Sequence, residues 1–313
     1  MGFLVSFLPS VFYAELDPTW AKSQYLSLLA RALPAACYFL FYPGLKSLCR
    51  IFFIPLWFNL IIYFMWIFGL LEHLEVGSII DNSGASAIIA SLPFALLYRR
   101  YGLVTVSLSL IALSESRMGG FVSLFTFSVW HFGITIRMRH AAVILFLAVT
   151  TAACFVLIFS WDVFFPSFLP NLYESIDDRV RRAIQFMSIL SIKEAPLLGL
   201  GMGQISIITE QIWGKGVLAH GMLSYIWAQS GLFPFLYYLF FAFFSFMRPA
   251  LYFSKGGGQI FWAISIVSAS SFLMFLTRPY QDSAYLFLSL AIGLFAGQLS
   301  GPSERRGTSL AHR

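Results

Sequence analysis

The stretch Ala141-Ala142-Val143-Ile144-Leu145-Phe146-Leu147-Ala148-Val149-Thr150-Thr151-Ala152-Ala153-Cys154-Phe155-Val156-Leu157-Ile158-Phe159-Ser160 contains no charged residue, no proline and no glycine. A helix rising 1.5 Å per residue needs about 20 mainly apolar residues to cross a hydrocarbon core about 30 Å thick. This run has that length and is read as a transmembrane helix. Working outward from it, further spans are expected at 26–45, 51–71, 79–97, 102–116, 119–136, 220–246, 260–277 and 283–299. The apolar stretch 102–136 is too long for one crossing. Ser114-Glu115-Ser116-Arg117-Met118-Gly119-Gly120 supplies the small, polar, glycine-rich turn that divides it.

Composition agrees with this reading. Of 313 residues, 59% are hydrophobic and 11% charged, and the mean hydropathy is +0.79. A soluble domain carries about 25% charged residues. A chain this poor in charge cannot cover itself with a wetted surface, so its solvent is largely lipid. The 35 phenylalanines suit lipid-facing helices better than a compact soluble core. The expected fold class is an all-α integral membrane protein with about nine to ten transmembrane helices. These form one polytopic domain over 1–300, followed by a polar cytoplasmic tail over 301–313. Cys37, Cys49 and Cys154 lie in or beside apolar stretches, where an odd number gives neither a disulfide framework nor metal-ligand spacing. No metal or cofactor is expected. The start, Met1 to Tyr13, is apolar but short, and it lacks the basic region of a cleavable signal.

The basic residues orient the spans. Lys46 and Arg50, Arg99 and Arg100, Arg137 and Arg139, Arg248 and Lys255, and the tail residues Arg305, Arg306 and Arg313 fall in alternate loops on one side. The short loops opposite hold Arg117 and Arg278, together with Glu72 and Glu75. By the positive-inside rule the first set is cytoplasmic. The net charge of +6 therefore reports first on topology, and no nucleic-acid partner is expected. The C-terminus is placed in the cytoplasm and the long polar segment 161–219 outside. Nine spans would put the N-terminus outside. Either Met1–Tyr13 is the remnant of a further crossing or the chain starts late relative to its relatives.

The outer segment has enough polar sequence to build a site. Ser175-Ile176-Asp177-Asp178-Arg179 reads as a helix start, with Ser175 as N-cap and acids in the first turn. Val180, Ile184 and Met187 then recur at helical spacing and mark an amphipathic helix on the membrane surface or against the bundle. Arg179 and Arg182 share one of its faces. Pro196 ends the helix, and Gly199, Gly201 and Gly203 allow tight turns. The glycine spacing and the lack of a βαβ context exclude a dinucleotide fingerprint. His220 opens the next span. The outer face thus collects Arg117, Arg179, Arg181, Arg182, Arg278 and His220. Arginine suits bidentate phosphate binding, and histidine can take a proton near neutral pH. Such a set at the outer boundary of a lipid-embedded bundle suits a lipid-linked pyrophosphate. Against this, an arginine at a span end can simply snorkel to the interface, a lone histidine can cap a span, and Asp177 and Asp178 are better dipole partners than metal ligands.

Three stretches resemble a known family. Ser116-Arg117-Met118-Gly119-Gly120 at the head of a span looks like its Ser-Arg-Gly signature. The arginine-bearing helix followed by Pro196-Leu197-Leu198-Gly199-Leu200-Gly201 is similar to its outer-loop pattern. Ala219-His220 through Tyr225 to Gly231-Leu232 resembles its His-Asn-x-x-Leu stretch, with Gly221 in place of the asparagine. The family is the O-antigen polymerase and O-antigen ligase superfamily of bacterial envelope polysaccharide enzymes, and the likeness covers roughly 102–247.

The resemblance implies a membrane glycosyltransferase of the bacterial inner membrane with a periplasmic active site and metal-independent chemistry. Its substrate would be a saccharide on undecaprenyl pyrophosphate, and its other partners membrane lipid, a chain-length regulator and the flippase of the same pathway. It matches Arg117 to the first family arginine, either Arg181 or Arg182 to the outer-helix arginine, and His220 to the family histidine. His220 and Arg117 are then the expected catalytic residues, and Arg179, Arg181, Arg182 and Arg278 the pyrophosphate- and glycan-binding ones. The leading expectation is a repeat-unit polymerase. A ligase to lipid A-core, a transporter or flippase of lipid-linked sugars, and a scaffold without activity are the competing readings. A transporter should show related halves and ionisable groups near the bilayer centre, whereas here the charges gather at span ends.

Overall fold

The computed structural model describes residues 6, 8–12, 17–40, 45–68, 82–113, 117–135, 140–160, 192, 194–213, 222–276 and 284–299. Among them no strand forms. The helices are α1 (Leu8–Phe12), α2 (Pro18–Leu40), α3 (Leu45–Ile67), α4 (Asn82–Leu97), α5 (Tyr101–Leu113), α6 (Arg117–Thr135), α7 (Ala141–Ser160), α8 (Gln204–Trp213), α9 (Met222–Ser230), α10 (Leu232–Ser254), α11 (Gln259–Leu276) and α12 (Ala284–Leu299). Helices stand at each expected span with shifted bounds, among them α3 beginning at Leu45 and α10 running on to Ser254. The helix of the first span, α2, begins at Pro18, well before residue 26, because the Asp17 carboxylate accepts the Thr19 N–H at 2.8 Å and Pro18 fits the first helical position. The stretch 220–246 is not one helix. It breaks at Gly231, whose φ of 83° no helix can contain.

Among the described residues two helices, α10 and α11, are long and apolar enough to cross a membrane. Shorter apolar stretches lie within α3, α4, α5, α7 and α12. The two long helices have opposite surroundings. α11 is buried on all sides. α10 exposes Phe233, Leu236, Tyr237, Phe240, Phe243, Phe244 and Leu251, and buries Tyr238, Ala242, Ser245, Phe246, Ala250 and Phe253. Those spacings mark two faces of one helix, and both are apolar.

The chain divides into two compact units, each drawn from several stretches. One comprises Met1–Leu33, Ala152–Phe241 and Phe275–Asp282; the other comprises Pro34–Thr151, Ala242–Met274 and Ser283–Arg313.

In the second unit apolar helices fit together through small residues and hydroxyls. α4 packs against α3, α5, α6 and α12. It can do so because its buried face alternates small residues, Ala85, Ser86, Ala90, Ser91 and Ala95, with Ile88, Leu92 and Phe94. Phe52 of α3 meets Phe94 with ring centroids 5.0 Å apart. α11 is tied to its neighbours by hydroxyls. Thr126 of α6 and Ser270 hydrogen-bond at 2.8 Å, Ser268 donates to the Ser289 carbonyl of α12 at 2.9 Å, and Ser265 donates to the Phe246 carbonyl of α10. Small residues and interhelical hydroxyl bonds are what apolar helices in lipid use for association, at roughly 0.6 kcal/mol per bond. Close approach is strict at two glycines. A Cβ at Gly293 would strike the Ser245 carbonyl and the Ser268 hydroxyl, and one at Gly133 would strike the buried Trp262 indole. Phe253 stacks on that indole with centroids 5.3 Å apart.

Candidate functional site

In the first unit the run Pro196–Gly203 folds onto a helix end. α9 stops at Ser230, and the last carbonyls of any helix lack intrahelical donors. Here each is met. Gly231, in the left-handed region, turns its N–H back to the Trp227 carbonyl at 2.9 Å. The next two carbonyls are taken by another segment: Leu200 donates to Ala228 at 2.8 Å and Gly201 to Gln229 at 2.9 Å. Leu232, opening α10, donates to the Leu197 carbonyl at 3.1 Å. The Trp227 indole N–H donates to the Pro196 carbonyl at 2.7 Å, and the same ring stacks on Phe235 with centroids 4.8 Å apart. The loop Pro196–Gly203 and the α9–α10 junction are therefore one backbone-paired object.

Glycine is required where that pairing is closest. A Cβ on Gly199 would stand 2.5 Å from the Gln229 carbonyl carbon, and one on Gly231 would overlap the Leu197 carbonyl oxygen. Both residues also have positive φ, 74° and 83°, which side-chain-bearing residues adopt at a cost. The loop is fixed at its far end as well, because Met202 donates to the carbonyl of Ser10 in α1 at 2.9 Å.

Polar side chains line this junction. Gln204 at the start of α8, Tyr225 and Gln229 one turn apart on α9, and Ser230 at its end are all buried. Among the described residues, the Gln229 side-chain amide N–H2 and the Ser230 hydroxyl have no hydrogen-bond partner. A buried amide without a partner costs free energy that a polar ligand would recover. The junction thus offers donors and acceptors for holding and orienting a hydroxyl-rich group. Its described residues Pro196–Gln204 and Met222–Leu232 include no acid or base. Sequence reasoning assigned no role to Gln204, Gln229 or Ser230. The available signal was an amide placed in an apolar run, Ile226-Trp227-Ala228-Gln229.

Of the expected site residues, Arg117 is the first residue of α6 and belongs to the second unit. His220, Arg179, Arg181, Arg182 and Arg278 lie outside the described residues, as does the amphipathic helix expected from Ser175. In the comparisons with known proteins, no family model, no curated protein and no solved structure matches the chain.

Proposed function

We propose that the chain is a multi-pass protein of the bacterial inner membrane that polymerises oligosaccharide repeat units carried on undecaprenyl pyrophosphate. The observation that carries this reading is the pairing of Pro196–Gly203 with Ala228–Leu232. These two stretches, each similar to a different part of the O-antigen polymerase and ligase pattern and about thirty residues apart in sequence, make one object through three backbone bonds between 2.8 and 3.1 Å. Membrane embedding draws support from α10, whose exposed face carries Phe233 at 70% and Phe240 at 61% exposure. A contiguous patch of that kind is costly in water and suited to lipid. The proposal includes nine or ten spans; α10 and α11 have the length and apolarity to cross, and the alternation of basic residues along the sequence supports the rest.

In the proposed reaction, an acceptor hydroxyl of one lipid-linked repeat attacks the anomeric carbon of the growing glycan. The bond from that carbon to the pyrophosphate oxygen breaks, and the hydroxyl proton passes to His220 as base. Undecaprenyl pyrophosphate leaves with its charge held by Arg117 and by arginines among Arg179, Arg181, Arg182 and Arg278. The chemistry is metal-independent. The test is glycan length in a deletion strain complemented with wild type, Arg117→Ala or His220→Ala, with membrane levels checked. Wild type should restore long chains and both variants only short ones. Full-length glycan from both variants would remove these residues from the site and bring transport or scaffolding forward. Loss of even single repeats from lipid A-core would identify the reaction as ligation.

A further inference from the structure

A second site is suggested at the opposite end of the second unit, on α3 and the α4–α5 turn. The described residues of that unit contain no aspartate or glutamate, while Lys46, Arg50, Arg99, Arg100, Arg248 and Lys255 all lie at helix ends assigned to one side of the membrane. Arg117, across the 13 residues of α5, lies roughly 20 Å away at the other end. Arg50, Arg99 and Arg100 are all exposed. Arg99 and Arg100 form the turn after α4, and α3 packs along α4. The Arg100 guanidinium sits 5.7 Å from the centroid of the Phe53 ring, one turn from Arg50 on α3.

The turn itself is unusual. Arg99 donates to the Leu96 carbonyl at 3.1 Å and Arg100 to the Ala95 carbonyl at 2.9 Å. This is the glycine-type helix ending in which the turning residue is left-handed. α10 ends the same way with glycine, Gly256 at φ 92°, whereas α4 uses Arg99 at φ 53°. A non-glycine residue there is strained, and the strain holds a guanidinium beside Arg100 at the negative end of the α4 dipole. Below the arginines, on the same face of α3 as Arg50, runs an exposed apolar stripe: Ile54, Trp57, Phe58 and Ile61, with Trp57 at 47% exposure. The spacing 50, 54, 57, 61 is one helix face.

We propose that Arg50, Arg99 and Arg100 bind the phosphate of an anionic phospholipid headgroup, with an acyl chain lying along Ile54, Trp57, Phe58 and Ile61. Charge complementarity selects an anionic lipid, because three cations with no described acid in their unit have a phosphate as natural partner. The adjoining apolar stripe selects a lipid over a free phosphate. The site rests on the membrane placement proposed above and not on glycosyl transfer.

The test reconstitutes the full chain in nanodiscs of brominated phosphatidylcholine or brominated phosphatidylglycerol and reads quenching of tryptophan fluorescence. Wild type should be quenched preferentially by the anionic lipid, and Trp57→Phe should remove the preferential component. Arg50→Gln with Arg99→Gln and Arg100→Gln should abolish it, at about fivefold in relative affinity per arginine. Arg99→Gly is the companion variant, because it removes one guanidinium while relieving the strained turn, so weaker lipid selection cannot be ascribed to misfolding. An equal loss in Arg248→Gln with Lys255→Gln would reduce the effect to general surface charge and overturn the site. So would an unchanged preference in the arginine variants, or loss of the wild-type preference when inorganic phosphate is added to the nanodiscs at constant ionic strength. A chain that fails to incorporate into bilayers would overturn the membrane placement as well.

Discussion

Replacing Gly231 with alanine should cost far more than the same change at a glycine of similar backbone conformation elsewhere. An alanine Cβ at Gly231 would overlap the Leu197 carbonyl oxygen and stand 2.6 Å from its carbonyl carbon and 2.7 Å from the Leu198 carbonyl carbon. These are backbone atoms and cannot swing away as a side chain can. The left-handed conformation costs an alanine roughly 1 kcal/mol. Displacing the loop gives up the Leu232–Leu197 bond, about 1 kcal/mol. If the Ala228 and Gln229 carbonyls also lose their donors, a further 1–3 kcal/mol or so follows for buried acceptors left unmet. The sum is about 2–5 kcal/mol. Gly256→Ala is the control. Its φ is 92°, but nothing lies within 4 Å of a Cβ there, so only the conformational cost of roughly 1 kcal/mol applies. The assay is denaturant unfolding of both variants in detergent, followed by tryptophan fluorescence. If Gly231→Ala unfolds within about 0.5 kcal/mol of Gly256→Ala, steric pairing of loop and helix end is not what demands glycine, and the account of the junction is wrong.

Other predictions follow from contacts of the same kind. Gly133→Ala should destabilise by about 1–3 kcal/mol through overlap with the Trp262 indole, and Trp262→Phe in the same chain should recover part of that loss, read as a coupling energy in a double-mutant cycle. Arg99→Gly should raise the unfolding free energy by roughly 0.5–1 kcal/mol in zwitterionic detergent; a lower value would mean that the left-handed turn carries no strain. Trp227→Phe removes the bond to the Pro196 carbonyl, 2.7 Å long, at about 1 kcal/mol. It should also speed hydrogen exchange at the Leu200 and Gly201 amides, and unaltered exchange would place the hold on the loop elsewhere.

The positions of the helices were legible because hydropathy and punctuation both act over a few neighbouring residues. Ala141–Ser160 is a helix over the bounds its apolar run indicated. α5 ends at Leu113 and α6 begins at Arg117, so the division falls within the stretch that the small and polar residues Ser114–Gly120 indicated, although Arg117–Gly120 belong to the first turn of α6. Hydropathy misplaced the start of α2, since the Asp17-Pro18-Thr19 cap precedes the apolar residues and adds nothing to their average. It also joined α9 to α10, because the short break Gln229-Ser230-Gly231 barely lowers the average hydropathy of the long apolar stretch around it. Only the carbonyl of Leu197, arriving from a distant segment, shows why the chain must turn there.

By itself, then, the sequence determined that the chain is helical, where its apolar helices run, and which glycines and prolines punctuate them. The tertiary structure alone decided what each apolar helix faces. α10 and α11 are alike in hydropathy, yet one exposes a stripe of phenylalanines and the other is enclosed. The reason is physical: hydropathy measures the transfer of a side chain out of water, and that quantity is the same whether it ends against lipid or against protein. Enclosure instead depends on small residues and hydroxyls meeting particular partners, Ser268 with Ser289 and Thr126 with Ser270, and on Gly293 and Gly133 leaving room for a neighbour. Those pairings join positions far apart in the chain, as does the seating of the glycine loop on the end of α9, and no local average contains them.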